Sequence, residues 1–293
     1  MNPLKQATVE LVKAALKEDI GRGDITSLAC LEPRPIKAVI VAKSAGILSG
    51  LAPAKLAFMM VDPATVVHPL LADGDRFDAG KTIVSIEGFD QTILTAERTA
   101  LNFLAHLSGI ATLTAEFVDR ISGTACRILD TRKTTPGWRL LEKAAVVHGG
   151  GVNHRLGLYD MVLIKDNHIT AAGSVTQAIN MAKQYIISDE FHLQFGQGAE
   201  AVDIEVEVTS DKQVTEAVKA GADRLLLDNQ TIESIQHLVK LARQLNPDIK
   251  LEASGNVSLD NVAAIAATGV DYLSIGALTH SAPASDFSLR VEE

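Results

Sequence analysis

Arg132 and Lys133 lie in the run DTRKTTPGWR, Asp130 to Arg139, braced by Thr131, Thr134 and Thr135 and turned by Pro136 and Gly137. A guanidinium grips a carboxylate through a two-point fork, and an ammonium supplies a compact charge for a carboxylate or phosphate. Charges set among threonines and a Pro-Gly turn argue for a ligand-facing pair over two surface cations. Next comes HGGGVNHRLGLYD, His148 to Asp160, where three glycines allow close backbone approach and His154 and Arg155 follow. The spacing fails as a dinucleotide fingerprint, because the third glycine would fall where His154 stands. Lys165 leaves the apolar run MVLI, and His168 follows three positions on. Such a lysine is either a Schiff-base nucleophile or a cation aimed at an anion.

Carboxylates and small residues complete the set. Glu207 in IEVEV and Asp228 in LLLDN sit at neighbouring strand ends, where two carboxylates can hold ribose hydroxyls and, through water, a magnesium ion. For each acid taken alone, a salt bridge is an equal alternative. Ser254 and Gly255 in EASGN, and Gly276 in LSIG, precede turns or helices whose backbone N–H groups can cradle phosphate.

The charge distribution points the same way. From Arg127 to His168 the chain carries +3, with His148, His154 and His168 added, while the whole chain carries −9. A basic island in an acidic protein suits a recess for small, multiply negative ligands. The net charge argues against nucleic acid and anionic membranes as partners. No apolar run is expected to span a membrane, and the amino terminus lacks the apolar core of a signal peptide. Cys30 and Cys126 match no metal or redox spacing and read as two buried thiols in a reducing, cytoplasmic compartment.

The elements that must position these residues follow from periodicity. Hydrophobic residues make up 47% and aromatics 4%, so the core is filled by Ala, Val, Ile and Leu, as suits α/β layers. A helix covers the first twenty residues, and IKAVIVAK, TVVHPLL and KTIVSIEG are β-rich. LTAERTALNFLAHLSGIAT is a helix linking this part to the next. Thereafter CRILD, MVLIK, DIEVEV, RLLLD, IKLEA and DYLSI alternate with amphipathic helices, which implies parallel strands joined by crossovers. Ser210 with Gln213 caps one such helix and Gly221 ends it. Polar residues end all six strands, so their carboxyl ends meet at one barrel mouth.

Taken together and in order, EDIGRGDITS, ERTALNFL, TRKTTPG, GGGVNHR, LIKDNH, IEVEV, LLLDN and EASGN resemble the motif series of the quinolinate phosphoribosyltransferase family, over nearly the whole chain. The resemblance implies an amino-terminal α/β sandwich domain, residues 1–108 joined by the tail 277–293. Beside it, residues 109–276 would form an incomplete, seven-stranded TIM-like α/β barrel, of which six strands are legible. It implies phosphoribosyl transfer from phosphoribosyl pyrophosphate to quinolinate with decarboxylation, giving nicotinate mononucleotide for NAD biosynthesis. Arg132, Arg155 and Lys165 would bind the two carboxylates of quinolinate, with Thr131, Lys133, His154 and His168 nearby. Arg98 would enter from the partner subunit of a homodimer with shared sites. Glu207 and Asp228 would hold ribose and Mg2+, and Ser254, Gly255 and Gly276 the phosphate. Lys133, Lys165, Glu207 and Asp228 are the expected catalytic residues.

Two departures from the family pattern stand out. Trp138 replaces a smaller aliphatic residue, and Tyr185 to Val202 is a longer, more acidic segment that reads as a surface insertion. The competing functions are a paralogous transferase acting on another anionic ring, a Schiff-base aldolase using Lys165, and a non-catalytic anion-binding protein.

Overall fold

The computed structural model describes residues 3–196 and 202–292, and its contacts divide into two units, each drawn from several stretches of chain. The first comprises Met1–Glu116, Lys133–Gly151 and Gly276–Glu293; the second comprises Phe117–Arg132 and Val152–Ile275. Along the chain the strands are β1 (Pro35–Ala42), β2 (Gly46–Ile47), β3 (Val66–Pro69), β4 (Arg76–Phe77), β5 (Thr82–Phe89) and β6 (Arg127–Leu129). They continue with β7 (Val162–Ile164), β8 (Ile204–Glu207), β9 (Arg224–Asp228), β10 (Lys250–Ser254), β11 (Tyr272–Ser274) and β12 (Phe287–Val291).

In the first unit an antiparallel sheet runs β12-β1-β5-β3. Ala38, Ile40 and Ala42 of β1 are fully buried, and the chain's last strand pairs with β1 from Ala38↔Val291 to Ala42↔Phe287. The carboxyl-terminal tail therefore completes the amino-terminal sheet. The division drawn from sequence at residue 108 left Lys133–Gly151 with the barrel, whereas its contacts lie in the first unit. Trp138 stacks on Phe103 with ring centroids 4.8 Å apart, and His106 Nε2 lies 2.8 Å from Glu142 Oε1. These contacts bind the helix Arg139–His148 to the helix Asp90–Arg120.

That second helix has 31 residues and is by length and composition apolar enough to cross a membrane, which corrects the expectation that no such run exists. Its most apolar window is 61% buried within the protein, as in a core helix. Two of the three glycines read as allowing close backbone approach lie against this helix. A Cβ on Gly149 would lie 2.3 Å from the Ala111 carbonyl oxygen and 2.7 Å from Thr114 Cβ, and one on Gly151 2.9 Å from Thr114 Cγ2. Gly150, at φ +86°, makes the turn between them.

The second unit holds a parallel sheet in the order β6-β11-β10-β9-β8-β7. All six strands coincide with the apolar runs read from sequence. The seventh position is a single parallel bridge between Leu129 and Val152, with Val152 N–H donating to the Ile128 carbonyl at 2.8 Å. It escaped the sequence reading because one bridged residue has no periodicity. Helices cross between the strands and are capped as expected: the Ser210 side chain accepts from Gln213 N–H, and Gly221 ends that helix at φ +77°.

Register sorts the sheet into two faces. Ile128, Leu273, Leu251, Ala253, Leu225, Leu227, Ile204 and Val206 share one face and are buried. The other carries Tyr272, Ser274, Glu252, Ser254, Arg224, Asp228, Glu205 and Glu207, with Leu129, Leu163 and Leu226 among them. Adjacent residues in a strand point to opposite faces, so one apolar layer and one largely polar layer arise from the same six runs.

Gly149→Ala is expected to lower stability by roughly 1 to 3 kcal/mol, because the added methyl overlaps helix backbone that cannot turn aside. Thermal unfolding checks this, and an unchanged Tm would show that the helix can shift away without cost.

Candidate active site

A buried charged cluster lies in the second unit. His154, Glu205 and Glu252 have side chains 8%, 0% and 1% exposed. The imidazole Nε2 lies 3.1 Å from Glu205 Oε2 and 3.4 Å from Glu252 Oε2, while Arg224 Nη1 donates to Glu252 Oε2 at 3.1 Å. The Arg224 guanidinium also lies over the Tyr272 ring, 4.5 Å from its centroid. Burial alone would lower the His154 pKa, but the bonds and charges of the two glutamates outweigh it and raise it to about 9. Against that pull, the Arg155 N–H donates into His154 Nδ1 at 2.7 Å, a position that cannot then bear a proton of its own. That bond makes Nδ1 the acceptor and leaves Nε2 to donate toward the two glutamates. Burial drives the Glu205 pKa upward, against the pull of His154 and Arg224, and its Oε1 has no hydrogen-bond partner. Burial would raise Glu252 as well, but His154, Ser274 and Arg224 hold it low and ionised.

Both ring nitrogens of His154 are thus engaged inside the protein. The backbone beside it is fixed too, since His154 N–H donates at 2.9 Å to Asp130, a buried residue at the end of β6. Arg155 follows on the same loop and donates from Nη1 to the Met161 carbonyl at 3.1 Å. Burial and then the charge of Arg132 lower the Arg155 pKa, with Glu205 and Asp160 pulling the other way. Two guanidiniums that feel each other's charge can share one anion. Thr131 is half-buried beside the exposed Arg132.

Nearer the strand ends, Lys165 Nζ lies 3.6 Å from Glu207 Oε2 and is half exposed. Its own backbone N–H donates to His168 Nδ1 at 2.9 Å, so His168 braces the start of the helix Asp166–Ala172. Burial raises the Glu207 pKa; Lys165 lowers it, and the negative charges of Asp228 and Asp166 raise it. Glu207 and Asp228 therefore sense each other across β8 and β9. Asp228 accepts from Asn229 Nδ2 at 2.6 Å, and Ser254 and Gly255 end the adjoining β10. Two acids at neighbouring strand ends, where the charge of Asp228 helps raise Glu207, are the oxygen donors a hard divalent cation takes. His154, Glu205 and Glu252 also place ligand atoms within 4.8 Å of one another, but Arg224 already neutralises Glu252 there.

Arg98, Lys133 and Gly276 belong to the first unit. Arg98 is exposed on a helix whose Leu101 and Leu104 are buried, as the spacing predicts. Lys133 is exposed, and its carbonyl accepts from Thr279 Oγ1 at 2.8 Å. A Cβ on Gly276 would lie 2.8 Å from Lys133 Cδ and 3.2 Å from His280 Nε2, so this glycine makes room for the lysine. The fully buried Glu142 accepts from Thr135 N–H at 3.1 Å, and Trp138 packs between Phe103 and His106, securing the turn after Lys133. Of the insertion, Asp189–Phe195 forms a short helix capped by Ser188, and residues 197–201 lie outside the described residues. Cys126 is buried, with its thiol pushed up to about 12, while Cys30 is exposed rather than buried.

Sequence reasoning passed over Glu205, Arg224 and Glu252 as site residues. The signal was the alternation of IEVEV, in which Glu205 must share the face of Glu207.

The family model for the C-terminal domain of quinolinate phosphoribosyl transferase matches residues 110–290, and that for the N-terminal domain residues 24–108. A probable nicotinate-nucleotide pyrophosphorylase (carboxylating) of Bacillus subtilis is 42% identical over 276 residues, covering 94% of this chain and 90% of its own. A mitochondrial quinolinate phosphoribosyltransferase (decarboxylating) of Nicotiana tabacum is 42% identical over 97% of this chain and 82% of its own. The solved nicotinate-nucleotide pyrophosphorylase of Francisella tularensis superposes with a TM-score of 0.90 at 39% identity, covering 98% of this chain and 97% of its own.

Burial that disfavours the charge of Glu205 and the ion pair that holds Glu252 separate two conservative substitutions. Glu205→Gln should change unfolding free energy by less than about 1 kcal/mol, since burial already opposes its charged form, whereas Glu252→Gln strips Arg224 of its counter-ion and should cost roughly 3 to 5 kcal/mol. Urea unfolding of both variants checks the contrast, and equal losses would contradict it.

Proposed function

The chain belongs to the quinolinate phosphoribosyltransferase family, and from that premise we propose how its own residues perform the reaction. The enzyme joins quinolinate to phosphoribosyl pyrophosphate and yields nicotinate mononucleotide, pyrophosphate and carbon dioxide, a step of NAD biosynthesis. The observation that carries the assignment of roles is the anchored His154–Arg155 loop, whose Arg155 guanidinium feels the charge of Arg132.

Arg132 and Arg155 grip the two carboxylates of quinolinate through forked hydrogen bonds, and Lys165, braced by His168, adds the third positive charge. Thr131 and Lys133 flank the pair along the chain. His154 acts from behind, holding the backbone of Arg155, because neither ring nitrogen is available to a ligand. So oriented, the pyridine nitrogen presents its lone pair to the anomeric carbon of phosphoribosyl pyrophosphate. As the bond to pyrophosphate breaks, positive charge develops on the ribose, and Glu207 and Asp228 stabilise it. Glu207 and Asp228 would hold magnesium, which when bound neutralises charge on the leaving pyrophosphate. Ser254, Gly255 and Gly276 receive phosphate. Once alkylated, the ring nitrogen is positive. The adjacent carboxylate then leaves as carbon dioxide, its bonding pair stays on the ring carbon beside that nitrogen, and a proton takes its place. The protein orients and neutralises, and no nucleophilic side chain is required. A Schiff-base role for Lys165 finds no support, since a half-exposed ammonium paired with Glu207 is not the desolvated amine such chemistry needs.

The unpaired thiols support a reducing compartment, and a cytoplasmic location is inferred from them. Arg98, exposed on a helix whose Leu101 and Leu104 are buried, serves the site of a second copy of this chain in a homodimer.

Arg132→Ala and Arg155→Ala should each weaken quinolinate binding about ten- to a hundredfold, the loss of a charge-assisted bond, with phosphoribosyl pyrophosphate binding little changed. Calorimetric titration with each ligand tests this, and unchanged quinolinate affinity in both variants would remove the assignment. For the shared site, inactive Arg98→Ala chains mixed with inactive Lys165→Ala chains should regain activity, because a heterodimer restores one intact site. Free subunit exchange without regained activity would rule the homodimeric site out.

A further inference from the structure

Among the described residues, Asn229 and Asn256 are the only ones other than glycine with positive φ, both at +53°. Asn229 directly follows Asp228 at the end of β9, and Asn256 follows Ser254 and Gly255 at the end of β10. Left-handed backbone at a non-glycine residue persists only where the surroundings over-determine it, and asparagine is among the few side chains that tolerate it. The surroundings here are specific. Asn229 Nδ2 donates to Asp228 Oδ2 at 2.6 Å, its Oδ1 accepts from Asn256 Nδ2 at 3.3 Å, and its backbone N–H donates to the Ser254 carbonyl at 2.9 Å. Turning the amide over would set its oxygen against a carboxylate, so this orientation is the chemically required one. Gly255 is part of the arrangement: a Cβ there would lie 2.1 Å from Asn229 Oδ1 and 3.0 Å from its backbone nitrogen. One amide therefore spans two strand ends and reaches both the carboxylate and the Ser-Gly turn.

We propose that Asn229 is a positioning residue for phosphoribosyl pyrophosphate, fixing the rotamer of Asp228 and its register against Ser254 and Gly255. This rests on the reading that Asp228 and the Ser254–Gly255 turn handle that substrate. Without the amide, the Asp228 side chain is free to rotate and the two strand ends lose their side-chain tie. Binding must then order what the folded protein already holds in place.

The test compares Asn229→Gly, Asn229→Asp and Asp228→Asn. Glycine adopts the left-handed backbone more easily than asparagine, so the first variant keeps the turn and removes only the amide. The second keeps the side-chain shape but sets a carboxylate against Asp228. Calorimetry with phosphoribosyl pyrophosphate in magnesium buffer and with quinolinate, thermal unfolding, and kcat and KM for both substrates are measured for all three. Expected for Asn229→Gly is an affinity for phosphoribosyl pyrophosphate about tenfold weaker, as for one lost charge-assisted bond, with quinolinate affinity and Tm unchanged. Asn229→Asp should lose more. Wild-type handling of phosphoribosyl pyrophosphate by Asn229→Gly, or a parallel fall in Tm and in affinity for both substrates, overturns the proposal. If Asp228→Asn also behaves as wild type, the underlying reading fails with it; if Asp228→Asn is impaired while Asn229→Gly is not, the positioning role alone fails.

Discussion

A carboxylate removed from water inside a folded protein needs a cation, a proton or a full set of donors against it, and the second unit buries two on the same face of one sheet. Glu205 and Glu252 are accommodated because Arg224 lies between neighbouring strands in register with Glu205 and reaches Glu252, while His154 touches both acids. The rest of the unit's polar architecture depends on that arrangement. It fixes His154, which accepts from the amide of Arg155, and the Arg155 guanidinium in turn feels the charge of Arg132. Moving any of these strands by one residue would send the charges into the apolar layer and the leucines into the polar one.

The first unit solves a different problem, that of holding one long apolar helix. Glycines at 50, 149 and 151 admit backbone against it, since a Cβ at any of them would lie within about 3 Å of that helix or its side chains. Glu142 and Trp138, anchored to His106 and Phe103 of the same helix, then hold the Thr135 backbone and the turn that carries Lys133. Trp138 is thereby a packing element of the unit, with Phe103 as its stacking partner.

The elements themselves were legible in the sequence. Short apolar or β-rich runs mark β1, β5 and all six named strands of the second unit. The Ser210, Thr231 and Gly221 caps stand where the local chemistry requires them. The cations and acids proposed for the ligand were legible too, because strand ends in a parallel sheet collect on one side. What escaped was long-range. The Val152 bridge has no pattern of its own, and the tie between Asn229 and Asn256 joins residues that only strand order makes neighbours. The helix Arg139–His148 sits in sequence among barrel elements yet has its contacts in the first unit.

By itself the sequence determined which residues alternate, which segments are helical, where the basic island falls and, through the joint order of its motifs, which family the chain belongs to. Those properties depend on neighbours a few positions apart, so local chemistry suffices to read them. Only the tertiary structure decided that Gly149 and Gly151 lie against a helix and that His154 faces inward on two buried acids. It likewise decided that Gly276 makes room for Lys133. Each of those outcomes rests on contact between segments distant in the chain, and the partner that turns a histidine into a brace or a glycine into a gap is named by packing alone.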